Sequence, residues 1–204
     1  MSLIKSISGI RGTIGGHVGE NLTPLDIVKF TAAFATIICD GKTTPRMVVG
    51  RDGRISGSMV QQLVMQTLVG LGVEVIDLGL STTPTVELAV PAEKAAGGII
   101  ITASHNPYKD NGIKVFHKGM KLSPAQEIGI EDYIDNVREF EVKRLGEVYS
   151  GEEVLDIYLD LIENLDMYQT DFKIGIDSAN GANYLVAKGI FQELTDTFMQ
   201  IGNE

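Results

Sequence analysis

With 204 residues, 44% of them hydrophobic, the chain is long enough for one full α/β domain and part of a second. Seventeen Lys and Arg against 27 Asp and Glu leave a formal charge of −10, which argues against a nucleic-acid backbone or an anionic membrane as partner, since both need a basic face. The single cysteine, Cys39, cannot form an internal disulfide; with no signal-peptide pattern at the start and no apolar run near the roughly 18 residues of a membrane span, a soluble cytoplasmic protein is expected.

In chain order, the first feature is the glycine-rich "SGIRGTIGG" (8–16), where Gly9, Gly12, Gly15 and Gly16 would let backbone approach an anion and Arg11 offers a guanidinium fork. A flexible entry turn explains the same composition, and the spacing fits neither a P-loop nor G-x-G-x-x-G. Thr23-Pro24-Leu25-Asp26 then reads as an N-cap, a proline at the first helical position and an acid at N3, predicting a helix to Cys39. "RMVVG" (46–50) is a β-branched strand. Ser56 to Leu71 is a helix with apolar Val60, Leu63, Val64 and Leu68, and "VEVIDLG" (73–79) is a strand. Thr83-Pro84 opens another helix, and "GGIIIT" (97–102) is a strand too apolar to have a wet face. This alternation predicts an α/β fold with a mixed, mostly parallel sheet flanked by helices. "GIKVF" (112–116) is one more strand, closed by the turn His117-Lys118-Gly119, and Ser123-Pro124-Ala125-Gln126 forms a capping box for a helix to about Arg138.

The polar stretch from Phe140 to Gly151 reads as a linker, dividing residues 1–145 from a second, similar α/β unit over 150–204. That unit starts with a capping box between Ser150 and Glu153 and a helix through Ile162. "FKIGIDSANGA" (172–182) gives a strand, a turn and a helix start, and "FMQIG" (198–202) a further strand. Stopping there leaves too few elements for an independent core, so a fragment of a longer protein is expected.

Chemistry concentrates after the apolar strand 97–102, in Ser104, His105, Asn106, Lys109, Asp110, Asn111 and Lys114. In open parallel sheets ligands bind at the carboxyl ends of the strands, which is where Ser104 falls. Pro107 keeps Asn106 from helical geometry, so the loop is held extended or turned. Lys114, ten residues on, lies on the next strand. A serine with a nearby lysine suits phosphoryl transfer, with the lysine neutralising phosphate charge, or acyl transfer, with the lysine as base. Serines after strands also commonly cap turns. His105, next to Ser104, makes no dyad if the segment is extended, because neighbouring side chains then point apart. No G-x-S-x-G elbow surrounds Ser104. "GRDGRISG" (50–57) contains an Asp52-Gly53 turn, with Arg51 and Arg54 available to anions or to pairing with acids. His17, His105 and His117 are scattered, without a cysteine pair or a carboxylate cluster, so a self-contained zinc or calcium site is not expected.

Taken together, "TASHNP" (102–107), "DNGIK" (110–114), "SGIRG" (8–12), "GRDGR" (50–54) and "DSANGA" (177–182) resemble the α-D-phosphohexomutases, which include phosphoglucomutase, phosphomannomutase and phosphoglucosamine mutase. The resemblance implies phosphoryl transfer through a phosphorylated Ser104 and a sugar bisphosphate, interconverting hexose 1- and 6-phosphates. It implies that Arg11 and Lys114 flank the phosphoserine, that His105 and Asn106 orient phosphate and substrate, and that Arg51 contacts substrate. It also implies one Mg²⁺, with the phosphate on Ser104 supplying one ligand and an aspartate-rich loop the others; that loop, the sugar-recognition loop and the phosphate clamp do not occur in these 204 residues. The expected partners are therefore hexose phosphate and hexose bisphosphate, with neither nucleic acid nor membrane, and residues 1–204 alone are expected to be inactive. "DNGIKVF" and the short N-terminus point to the phosphoglucosamine mutase branch ahead of the other two. A non-catalytic sugar-phosphate-binding protein and a serine hydrolase using Ser104 and Lys114 are the competing readings.

Overall fold

The computed structural model describes residues 2–6, 9–136, 142, 144–165 and 168–203. The first elements are β1 (Ile4–Ser6), β2 (Gly9–Thr13), α1 (Pro24–Cys39), β3 (Arg46–Arg51), α2 (Gly57–Gly70), β4 (Glu74–Leu80) and α3 (Thr83–Ala92). They are followed by β5 (Gly97–Ile101), β6 (Asp110–His117), α4 (Pro124–Asn136), β7 (Val148–Ser150), α5 (Glu153–Glu163), β8 (Ile174–Asp177), α6 (Tyr184–Leu194) and β9 (Phe198–Ile201).

Strands β1 to β7 form one sheet in the order β1-β2-β6-β5-β3-β4-β7. The run β5-β3-β4-β7 is parallel, as βαβ alternation requires, whereas β6 runs antiparallel to both β5 and β2. A loop of only eight residues joins β5 to β6, too short for the crossover a parallel pair needs. The period-2 geometry of the strands sends Met47, Val49, Ile99, Ile101, Ile113 and Val115 to the face covered by α1, α2 and α4. Val48, Ile76, Ile100 and Phe116 point to the other face, under Val86, Ala89 and Val90 of α3. Both faces are covered, which is why β5 is buried along its whole length. Gly98 allows the close approach of α3, since a Cβ there would lie 2.6 Å from Val90 Cγ2. Full burial of a side chain such as Phe34 contributes about 1.5–3 kcal/mol.

Thr23 caps α1 as expected. Its hydroxyl meets the Asp26 carboxylate and backbone N–H, and Asp26 reaches back to the Thr23 amide. Gln126 likewise accepts from the Ser123 amide at 2.9 Å and closes the α4 capping box, while the expected helix end near Arg138 lies outside the described residues. Three local readings are corrected. The glycine-rich stretch is not a flexible turn over 9–13 but strand β2, hydrogen-bonded to β6. Gly9 adopts φ 126°, and a Cβ there would fall 1.8 Å from the Ile113 carbonyl oxygen, so the strand needs glycine at that point. Within the stretch read as a linker, Val148–Ser150 adds a parallel strand to the edge of β4. Ser150 is thereby taken into the ladder; Glu152 stands at the N-cap of α5, without a side-chain capping bond. Beyond it, β8 and β9 form a separate parallel pair, joined through α6.

Candidate active site

The site is built where β5 ends. Thr102 continues the pairing, donating its N–H to Gly112 O at 3.0 Å, and its hydroxyl donates to Asp52 Oδ2 at 2.6 Å. The same hydroxyl accepts the Ser104 N–H at 2.9 Å. Ser104 itself is exposed and sits at φ 57°, in the left-handed region, so the segment is turned rather than extended. On β6, Lys114 projects from the register position opposite Ile100, and its Nζ lies 3.4 Å from Ser104 Oγ. Arg11 of β2 pairs with Gly112, and Gly9 with Lys114, which places Arg11 and Lys114 diagonally on the same face, two register positions apart. Gly112 provides the room, as a Cβ there would lie 2.9 Å from Arg11 Cβ and from the Thr102 carbonyl. Arg11, Lys114, Thr102 and Ala103 share a small cavity of about 90 Å³ with Ser6 and Gly9. Ser8, part of the motif that carries Arg11, lies outside the described residues.

The structure thus brings Ser104, Lys114 and Arg11 to one edge of the sheet. His105 is exposed beside them. Asn106 folds back into its own loop, donating both its amide Nδ2 (2.8 Å) and backbone N–H (3.1 Å) to Ala103 O. Arg51 is anchored elsewhere: its Nε donates to Gln61 Oε1 at 3.0 Å and its Nη1 to Asp52 O at 3.2 Å, and Gln61 in turn holds Asp77 at 2.6 Å. Among the described residues, no hydrogen bond joins Arg51 to the serine loop.

Sequence reasoning missed the support behind the loop. Arg54 pairs with Asp52 at 3.2 Å, as its motif suggested, but its terminal nitrogens also donate to the carbonyls of Ser104, Asn106, Pro107 and Asp110 at 2.8–3.0 Å. Thr13 donates to Asp110 at 2.7 Å, and the fully buried Asn111 donates to Ser56 Oγ at 2.9 Å. The only local signal was a polar Asp-Asn pair at the start of an apolar strand. Larger cavities, of about 310 and 570 Å³, open at the amino ends of the strands around Lys42 and Pro45, away from this constellation.

A fixed, exposed hydroxyl beside an ammonium and a guanidinium suits chemistry in which negative charge develops on the serine oxygen. Residues 3–141 match the family profile described as phosphoglucomutase/phosphomannomutase, alpha/beta/alpha domain I. The chain belongs to the α-D-phosphohexomutase family. Among curated relatives, the phosphoglucosamine mutase of Acetivibrio thermocellus is 41% identical over 211 aligned positions, covering 100% of this chain and 46% of that protein. The phosphoglucosamine mutase of Deinococcus deserti is 38% identical over 188 positions, covering 90% and 42%. A phosphoglucomutase/phosphomannomutase family protein from Burkholderia thailandensis superposes with a TM-score of 0.78 over 97% of this chain and 44% of its own; at 24% identity this likeness shows the fold alone. The chain spans about half the length of the curated relatives it matches.

The family implies a metal ion, and Mg²⁺ needs a set of oxygen ligands converging on one point. Among the described residues, no group of three or more His, Cys, Asp and Glu comes together. These residues therefore do not fit a self-contained Mg²⁺ site. Among the described residues, too, no helix is long and apolar enough to cross a membrane.

Proposed function

We propose that the whole protein is a cytoplasmic phosphohexomutase that interconverts hexose 1- and 6-phosphates, with glucosamine phosphate as its sugar. In this reading residues 1–145 form the phosphoserine domain and residues 150–204 begin a second α/β domain. Phosphorylated Ser104 gives its phosphoryl group to a hydroxyl of the hexose monophosphate: the bond from Ser104 Oγ to phosphorus breaks, one from the sugar oxygen forms, and the proton of the sugar hydroxyl ends on Ser104 Oγ, which leaves as the neutral serine hydroxyl. The resulting bisphosphate returns its other phosphate to the serine. Lys114 stabilises the charge left on Oγ, Arg11 the transferring phosphoryl, and the two assist the proton transfer. His105 and Asn106 orient phosphate and sugar; Arg51 would contact substrate through the donors its internal bonds leave over. Mg²⁺ would lower the charge on the phosphoryl group, with the Ser104 phosphate as its one ligand from this chain and the other ligands from outside these residues.

The observation that carries this reading is the 3.4 Å approach of Lys114 Nζ to Ser104 Oγ at the carboxyl edge of the sheet. The names of the relatives support the choice of glucosamine over mannose or glucose. Phosphopeptide mass spectrometry on the full-length parent, treated with hexose bisphosphate and Mg²⁺, tests it. Phosphate on Ser104, absent in Ser104→Ala, is the expected result, whereas a bare Ser104 in folded protein would move the reading to a non-catalytic sugar-phosphate binder. A coupled assay with glucosamine 6-phosphate and mannose 1-phosphate then decides the sugar.

A further inference from the structure

The serine loop is held from behind by a cation that cannot itself meet a phosphate. A guanidinium has five N–H donors. In Arg54 all five are engaged: Nε with Asp52 Oδ2, Nη1 with the carbonyls of Pro107 and Asp110, and Nη2 with those of Ser104 and Asn106. We infer that Arg54 is a positioning residue that fixes the nucleophile Ser104 for phosphoryl transfer without touching phosphate or sugar. This rests on the function proposed above and extends it to a residue behind the reacting groups.

Ser104 has a positive φ, a conformation that persists in L-residues where the surroundings over-determine it. Both of its peptide planes are pinned. Its N–H goes to Thr102 Oγ1 at 2.9 Å and its carbonyl to Arg54 Nη2 at 2.8 Å. Asp52 joins the two restraints, since Oδ2 accepts from Thr102 Oγ1 at 2.6 Å and from Arg54 Nε at 3.2 Å. With both planes fixed, the direction of the Cα–Cβ bond is fixed, and with it the place from which Oγ meets Lys114. Four carbonyls converging on one point would repel one another; the planar fork makes them a clamp, its charge offset by Asp52. Lysine, with three donors on a single nitrogen, cannot serve four carbonyls and a carboxylate.

The test uses the full-length parent as wild type, Arg54→Ala and Arg54→Lys. Misplacing a reacting atom by about 1 Å costs roughly 100-fold in rate. The expected result for Arg54→Ala is therefore a kcat lower by about 100-fold with KM within about threefold, and partial recovery of kcat on adding guanidinium ion at tens of millimolar. A folded Arg54→Ala with near-wild-type kcat would overturn the inference. So would an unchanged kcat with KM raised about 100-fold, which would make Arg54 a substrate ligand. If Arg54→Ala does not fold, Arg54→Lys decides: a similar loss of kcat at constant KM supports the clamp, and wild-type kcat overturns it. Failure of the wild type to phosphorylate Ser104 would instead remove the proposed function, and the clamp's role with it.

Discussion

Replacing Lys114 by methionine keeps an unbranched apolar stem, one heavy atom shorter, and removes the ammonium with its charge and its N–H donors. In the structure Nζ approaches Ser104 Oγ at 3.4 Å, so in the proposed transfer the ammonium faces the oxygen that stays behind when the phosphoryl group leaves. Two unit charges about 4 Å apart interact by about 4 kcal/mol at an effective dielectric of about 20. Ser104 is exposed and Lys114 half-buried, so solvent screening brings this to about 2–3 kcal/mol. Charge on Oγ grows as the bond to phosphorus breaks, and this contact therefore strengthens toward the transition state. At about 1.4 kcal/mol per tenfold, Lys114→Met should lower kcat/KM of the full-length enzyme by about 30- to 150-fold. Lys114→Arg, which keeps the charge, should lose less. Steady-state turnover in a coupled assay, with stopped-flow loading of Ser104 from hexose bisphosphate, separates chemistry from substrate binding. A Lys114→Met enzyme that turns over within about threefold of wild type would refute the role given to this contact.

Burial, and to a lesser degree the charges of Lys118 and Lys42, lower the pKa of His117, whose Nδ1 lies 2.7 Å from the Gln126 amide that also caps α4. A depressed folded-state pKa means that the unfolded chain binds the proton more readily. The stability His117 confers is thus fully present above its ordinary value of about 6.5 and is lost as pH falls through the lowered folded value. Thermal melts should show the wild type losing Tm below about pH 6.5 more steeply than His117→Gln; parallel slopes would contradict this. Burial pushes the Cys39 thiol up to about 12, so roughly one molecule in 10,000 carries the thiolate at pH 8. A thiol reagent should label the native protein at least about 100-fold more slowly than the denatured chain, and equal rates would contradict the raised pKa of this half-buried thiol.

The parts of the fold legible in the sequence are those whose determinants lie within a few residues of one another. Thr23 and Asp26, or Ser123 and Gln126, announce helix starts because the capping partners are three residues apart. The serine loop was legible because an apolar strand gives way to polar residues at one point. Other features depended on distant partners. Strand β2 is rich in glycine, which weakens any strand signal, and it exists because β6 lies alongside it about 100 residues later in the chain. Strand β7 is exposed throughout, so no hydrophobic alternation marks it, and backbone pairing with β4 holds it. Ser150 and Glu153 have the spacing of a capping box, but Ser150 is drawn into that pairing instead. Arg54 reaches its carbonyl partners across 50 to 56 residues, and a carbonyl contact leaves no trace in side-chain identity.

Charge alone does not show which cation near Ser104 can receive an anion; the count of donors already engaged does. Arg54 has all five engaged within the protein, which commits it to holding the loop. Arg51 has two engaged, one with Gln61 of α2 and one with the Asp52 carbonyl, so substrate could claim only what remains. Arg11 is exposed on the face it shares with Lys114, and among the described residues its side chain makes no hydrogen bond to the protein. A phosphate on Ser104 would gain most from the guanidinium whose donors are not already satisfied, because binding to it breaks no existing bond. The order of anion affinity expected from this count is Arg11, Arg51 and Arg54, although the three arginines look alike in sequence, each beside a glycine or a turn.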